Sequence, residues 1–381
     1  MRIVIFSDLH VHTWQEFSRD DDGVPSRLRH CLLVLRKVRE YCLANDITNV
    51  LFGGDLFHKR GVLYTQPYNL VVAELAAWRS FGLKLYANVG NHDAADRLGK
   101  VHALQALASA DLLKTVGDDG WANWILVDDA SSITKQNIIV TAVAYCPGAD
   151  ELRRRVDAAL EERLFIGDGL GIHHTHDWFT VGLFHHGFKG ARVGTSLEYT
   201  IKEEVDPDEY AKSFDAKFSG HYHAHQEIGS QGNAWYVGSP MEFVRGETSP
   251  KGFLMLDTDR AEIERVDLDL PRFVKLTGGQ IGDRDFDVAA HVRGNYVDVV
   301  FDELPMPWDK LDSTLRKLGA EGVRACPTRA DKLPKSSRLE VDPTAGDRQL
   351  LEAYMEHVGV SISEREDLLQ TGLQFLEEGA K

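Results

Sequence analysis

The stretch "RIVIFSDLHVHTW", residues 2 to 14, begins with a short β-branched and aromatic run and then sets Asp8, His10 and His12 at every second position. The apolar run reads as a buried strand. In an extended chain alternate side chains share one face, so the spacing predicts three potential metal ligands converging where that strand ends. His and Asp also occur together on ordinary polar surfaces. Other segments must supply the remaining donors for this one to mean anything.

The chain has 381 residues, 43% of them hydrophobic, enough for one large domain and one or two smaller ones. Its formal net charge of -16 excludes a protein that coats nucleic acid by bulk electrostatics. An enzyme acting on nucleic acid is still allowed, because bound divalent cations turn a carboxylate-rich pocket into an anion-binding one. Cys31, Cys42, Cys146 and Cys326 form no CxxC pair, which argues against a thiolate zinc site and against a disulfide framework. The opening residues carry no leader-like pattern, and no segment reaches the roughly twenty apolar residues a membrane helix needs. The expectation is a cytoplasmic protein.

Along the first half, strand-like runs alternate with amphipathic stretches. "NVLFGG" (49 to 54) and "LKLYANV" (83 to 89) read as strands, and residues 27 to 45 and 69 to 81 as helices. Runs at 137 to 145, 179 to 185, 216 to 220, 234 to 239 and 252 to 257 then follow closely and suggest a second sheet. The expected fold is α/β, a two-sheet sandwich flanked by helices over residues 1 to 268. The pattern restarts near residue 270. A strand at 296 to 303, a helix at 308 to 322 and an apolar piece at 323 to 326 outline a small βαβ-like α+β module over 269 to 328. Residues 329 to 347, rich in Pro, Ser and charge, read as a linker. Helix candidates at 348 to 358 and 362 to 378 make a helical tail over 348 to 381.

Five clusters fall just past predicted strands, where open α/β sheets place their sites. They are Asp8 with His10; Asp55 with His58 in "GGDLFH"; Asn91 with His92 in "GNHD"; His185 and His186 in "LFHHG"; and His221, His223 and His225 in "SGHYHAH". Together they offer enough oxygen and nitrogen donors for two divalent metals sharing a carboxylate. Gly53, Gly54, Gly90 and Gly220 would permit the turns that swing such ligands inward.

The ordered series DxH, GDxxH, GNHD, a strand ending in His, and GHxH resembles the calcineurin-like metallophosphoesterase superfamily. Within it, "SDLHVH", "GGDLFH", "GNHD", "GLFHHG", "SGHYHAHQ", "YVGSPMEF" followed by Glu247, and "KGFLMLD" resemble the SbcD nuclease family, relatives of the nuclease subunit in eukaryotic double-strand-break repair. The likeness covers about residues 1 to 258; beyond them it is architectural, a capping module that binds DNA and a tail that binds a partner. It implies that Asp8, His10 and His223 hold one metal, that Asp55 bridges, and that Asn91, His185 and His221 hold the second. It also implies that His92 stabilises the transition state or protonates the leaving oxygen, and that His58 orients His92 or the phosphate. The chemistry is phosphodiester hydrolysis by an activated water, with no protein nucleophile. Two divalent ions are implied, manganese by resemblance.

In "LFHHG" the family spacing favours His185 as the ligand over His186. His225 extends GHxH beyond what the family uses, and His12 falls on the rim. The histidines at 173, 174 and 176 read as a solvated loop. Lys59, Arg60, Arg97, Lys189, Arg192 and Arg245 lie beside the motifs in an otherwise acidic chain and are candidates for guiding a DNA backbone. The resulting expectation is a DNA exonuclease or endonuclease working with an SbcC-type coiled-coil ATPase, docked through the tail. The family also forms homodimers, for which helices at 69 to 81 and 98 to 110 are candidates. A small-nucleotide phosphodiesterase or phosphatase and a non-catalytic scaffold are the alternatives.

Overall fold

The computed structural model describes residues 1–96, 99–116, 122–127, 137–169, 178–194, 197–202 and 204–328, with residues 348, 351, 352, 355, 365 and 368–370. The linker at 329 to 347, Arg97, the histidines at 173, 174 and 176, and most of the two tail helices lie outside these residues. Residues 1–326 form one compact unit and 327–381 another. In the second, the described residues between 348 and 370 are helical, with Met355 and Leu369 buried.

The first unit contains two six-stranded sheets. From edge to edge the first runs Glu262–Asp267, Gly252–Asp257, Arg2–Phe6, Asn49–Phe52, Lys84–Asn88 and Lys114–Val116. Its last four strands are parallel; the helices Ser26–Ala44 and Thr65–Ser80 make the first two crossovers between them, and the third includes the short helix Gln105–Ser109. The second sheet runs Gln226–Glu227, Ala234–Tyr236, Ala216–Ser219, Trp178–Phe184, Asn137–Val143 and Ala122–Val127. The "GFLMLD" strand belongs to the first sheet and not to the second: it pairs antiparallel with Arg2–Phe6, with Ile3 opposite Leu256 and Ile5 opposite Leu254. The strand before it, Ala234–Tyr236, is in the second sheet, but the apolar faces of Gly252–Asp257 match an open edge in the first, where the next strand, Glu262–Asp267, pairs with it in turn.

Alternation sorts the side chains of Arg2–Phe6 between two cores. Ile3 and Ile5 face the second sheet and pack with Leu51, Val140, Val181, Leu183 and Phe218. Val4 and Phe6 face outward and pack with Leu28, Leu35, Val71, Leu75 and Trp78 of the two helices. A strand buried on both faces needs the continuous apolar run that opens the chain. Each fully buried side chain of this size contributes about 2 kcal/mol.

The small module is a three-stranded sheet of Phe273–Thr277, Tyr296–Phe301 and Gly322–Pro327, the first two parallel, with a core of Leu276, Val292, Val297, Val299, Leu311 and Leu315. Its helix Trp308–Lys317 stops before 322, because Gly319 at φ 103° turns the chain back toward the third strand. Of the expected helix at 98 to 110, only Gln105–Ser109 is helical among the described residues.

Candidate metal centre

Parallel pairing brings the ends of five strands to one edge of the sandwich. Phe6 lies beside Phe52, Phe52 beside Ala87, and Phe184 beside Ser219. Asp8, Asp55, Asn91, His185 and His221 follow these strands within a few residues, so chain connectivity alone delivers them to a common site.

Asp8, His10 and His12 do not share one face of an extended strand. The strand ends at Phe6, and Asp8 (φ 55°) and His10 (φ 47°) both lie in the left-handed region. Their backbone is fixed by pairing with the loop that follows the second strand. The amide of Asp8 donates to the Gly54 carbonyl at 2.9 Å, that of His10 to Asp55 at 3.0 Å, and that of Val11 to Leu56 at 2.8 Å. Asp55 (φ 61°) and His221 (φ 86°) are left-handed too. Four donor residues in a conformation that L-residues rarely adopt mark a backbone bent to aim side chains, held there by surrounding structure. Among the glycines, Gly54 supplies a left-handed turn at φ 106°. Gly90 is needed for closeness instead: a Cβ there would sit 2.1 Å from Asp55 Oδ1.

The donor atoms converge in two groups around Asp55. His10 Nε2 and His223 Nε2 lie 3.1 Å apart, and ligand atoms of Asp8, His10 and His223 all fall within 4.8 Å of one another. On the other side, Asn91 Oδ1 is 3.0 Å from both His185 Nε2 and His221 Nδ1. Asp55 Oδ2 stands between the groups, 3.2 Å from His185 Nε2 and 3.7 Å from His10 Nε2. Its other oxygen accepts the His92 amide at 2.7 Å, which fixes the carboxylate plane. Asp8 accepts the His221 amide at 3.0 and 3.2 Å.

Burial and mutual charge set the protonation of this cluster. Burial holds the His10 imidazole well below its usual range and lowers His221 to about 3. Burial raises Asp8 and would raise Asp55, but His185, His10 and His92 outweigh it and keep Asp55 well below the ordinary carboxylate range. His185 answers in kind: burial lowers it, yet Asp55 outweighs burial and raises it to about 9. The His185 proton therefore sits where a cation can replace it. An ionised central carboxylate, an amide oxygen and imidazoles that give up a proton to a bound cation form a donor set suited to divalent manganese, iron or zinc.

The surrounding groups are organised to hold these donors. His223 Nδ1 lies 3.1 Å from Glu247 Oε1, and the other Glu247 oxygen is paired with Lys251 at 3.2 Å. A carboxylate behind a ligand imidazole fixes its tautomer and ring plane. The sequence motifs give Glu247 no role: it lies 24 residues beyond His223, and only the fold brings the two together. Asp93, the last residue of GNHD, holds the turns around the site. It is buried, burial lifts its carboxyl to about 7, and it accepts backbone amides of Asp55 (2.8 Å), Phe57 (3.1 Å) and Gly90 (3.1 Å). It thereby ties the GDxxH and GNHD turns together.

His92 Nδ1 donates to the His58 carbonyl at 2.6 Å, and the two rings stack 5.4 Å apart. His58 thus orients His92 through its backbone as well as its ring. Ligand atoms of His10, His58 and His92 also lie within 4.8 Å of one another. His186 departs from the site: its Nε2 donates to the Ala144 carbonyl at 3.0 Å. His225 does likewise, its Nδ1 donating to the Tyr236 carbonyl at 2.9 Å. His12 lies on the rim between His58 and Tyr64.

The basic candidates divide. Lys59 and Arg60 are exposed on the rim loop after His58. Lys189 is paired with Asp206 at 3.1 Å. Arg192 borders a cavity of about 290 Å³ that reaches His221, His223 and Glu247. Arg245 is tied to Asp298 of the small module at 2.7 Å and to Glu16, so its charge is already balanced.

Among the described residues, no helix is long and apolar enough to cross a membrane. A protein of Invertebrate iridescent virus 6 named for a phosphoesterase is 28% identical over 226 residues, 58% of this chain and 68% of that protein. The chain is also similar to the crystal structure of a dimetal phosphatase from Danio rerio, with TM-score 0.39 and 10% identity over 67% of this chain and 91% of that one. The model of the calcineurin-like phosphoesterase family matches residues 1–225, the part of the chain that supplies all seven donors, and the chain belongs to that family.

Proposed function

We propose that this chain is a cytoplasmic, metal-dependent DNA nuclease that hydrolyses phosphodiester bonds, exonucleolytically or endonucleolytically, with two manganese ions. The observation that carries the reading is the pairing of a complete two-group donor set with a fixed His92. Asp8, His10 and His223 would hold one cation, Asn91, His185 and His221 the other, with Asp55 between. When bound, two such ions supply the Lewis acidity that activates a water and balances charge on the phosphoryl oxygens. With its Nδ1–H engaged by the His58 carbonyl, His92 presents Nε2 for proton transfer to the leaving oxygen or for contact with the phosphoryl group. Glu247 keeps His223 aligned. Exposed Lys59 and Arg60 beside the centre favour a polyanionic substrate. The reading extends to a homodimer acting with an SbcC-type coiled-coil ATPase, which would supply the DNA grip that a chain of net charge -16 lacks.

The cavity of about 290 Å³ beside His221 and His223 favours a second reading, a phosphodiesterase for small nucleotides. The test is cleavage of an end-labelled duplex by the purified chain with manganese, beside a chelator control and the His92→Ala variant, with bis-p-nitrophenyl phosphate hydrolysed in parallel. Loss of duplex that both controls prevent supports the nuclease. Hydrolysis of the small ester alone, with DNA intact, favours the second reading. Inactivity on both supports a scaffold.

A further inference from the structure

The rim around His12 supplies none of the seven donors, touching them through the Trp14 Nε1–H that donates to the His10 carbonyl at 3.2 Å, and it is built from rings. His12 lies 5.5 Å from Trp14, 5.3 Å from His58 and 5.0 Å from Tyr64, centroid to centroid. Trp14 in turn lies 4.3 Å from His58. His58 is 5.4 Å from His92 and 5.4 Å from His10. An unbroken series of ring contacts, tilted or edge-on except where His58 stacks on His92, therefore leads from Tyr64 to the metal centre. The outer end is open: Tyr64 is 44% exposed, and Val62 and Leu63 before it are 53% and 45% exposed. Lys59 and Arg60 are exposed in the same loop, and among the described residues neither joins an ion pair. The pairing of residues 8–11 with 54–57 that aims Asp8 and His10 also brings the His12 and His58 loops side by side.

Uncovered aromatic faces beside unbalanced cations are the chemistry that binds single-stranded nucleic acid. Bases inside a duplex already stack on one another and offer no free face; an unpaired base does. We propose that Tyr64 and His12 form a stacking subsite for an unpaired nucleobase of the strand whose phosphate enters the metal centre, with Lys59 and Arg60 meeting the adjoining phosphates. The preferred substrate is then single-stranded or frayed DNA. The subsite rests on the DNA reading above, and its test separates the two.

Binding of a fluorescent oligothymidylate is measured by anisotropy in calcium for the wild type, Tyr64→Ala, Tyr64→Trp and His12→Ala. In manganese, kcat/KM is measured on the same oligomer and on bis-p-nitrophenyl phosphate. Tyr64→Ala is expected to weaken oligomer binding about tenfold and to lower the oligomer-to-ester ratio of kcat/KM by about as much, with Tyr64→Trp restoring both. Removing Lys59 and Arg60 together should flatten the salt dependence of binding. Unchanged oligomer binding in Tyr64→Ala overturns the subsite, even if the wild type degrades DNA. Equal losses on both substrates also overturn it, since they indicate a structural role. A dimer that dissociates in Tyr64→Ala, seen by size exclusion with oligomer binding intact, overturns it in favour of a contact between copies. Binding that depends on Tyr64 without any cleavage of DNA upholds the subsite and removes the nuclease reading.

Discussion

Two segments, Asp8-Leu9-His10-Val11-His12 and His221-Tyr222-His223-Ala224-His225, carry the same alternation and diverge at the third member. In both, the first two alternating residues enter the metal centre. His12 then goes out to an aromatic rim, whereas His225 turns into the body and caps the Tyr236 carbonyl. The difference lies in the backbone partner. Residues 8–11 pair with the buried segment 54–57, which runs straight on into the exposed rim residues Lys59 and Arg60. Residues 223–225 are pressed against Gly238, where a Cβ would lie 2.7 Å from the His225 amide nitrogen. Equal spacing in sequence gives equal placement only while the chain stays extended, and at Asp8, His10 and His221 it does not.

The comparison can be broken most severely at its shared first member. Replacing Asp8 by Ala removes a donor and the acceptor of the His221 amide, and bis-p-nitrophenyl phosphate turnover should fall by about a thousandfold. Asp8→Asn, which tolerates the left-handed backbone, should lose nearly as much turnover while melting close to the wild type. A melting temperature that falls equally in both variants would remove the conformational half of this account.

Gly238→Ala tests the second segment. At φ 78°, with the His225 backbone in contact, the added methyl should cost about 3 kcal/mol, read as a lowered melting temperature with and without metal. Glu247→Gln retains the shape behind His223 and removes its charge. Manganese affinity, followed by titration calorimetry, should weaken about tenfold, and metal-free stability should fall as well, because the buried Lys251 loses its counter-charge.

The smallest effects separate the two third histidines. His225→Ala should destabilise by about 1 kcal/mol, by leaving the Tyr236 carbonyl without its donor, and leave ester hydrolysis intact. His12→Ala should stay within about 0.5 kcal/mol of the wild type in urea unfolding and affect only DNA. If His12→Ala proves the more destabilising, the rim is part of the core and the contrast is misread.

How far the site was legible follows from what each residue depends on. The donors Asp8, Asp55, Asn91, His185 and His221 stand directly after apolar strands, and parallel pairing of those strands is dictated by hydrophobic pattern, so their meeting could be anticipated. The distinction between His185 and His186 could be anticipated only by resemblance. In the structure it comes from side-chain direction at the strand end, where one ring faces Asn91 and the next faces Ala144. Glu247 and Asp93 act through contacts with residues far away in the chain, and no local pattern announces them.

By itself the sequence determined the two-faced burial of Arg2–Phe6, the alternation of strands and helices through the first half, and the series of polar residues at the strand ends. These rest on local periodicity and on short connections. Tertiary structure decided the rest: that Gly252–Asp257 returns to the first sheet, that four donor residues take left-handed backbones, that Arg245 pairs with Asp298 and Glu16, and that His12 faces Tyr64. Each of these depends on which segment lies opposite across the fold, and that partner is fixed by competition among distant surfaces for burial and hydrogen bonds.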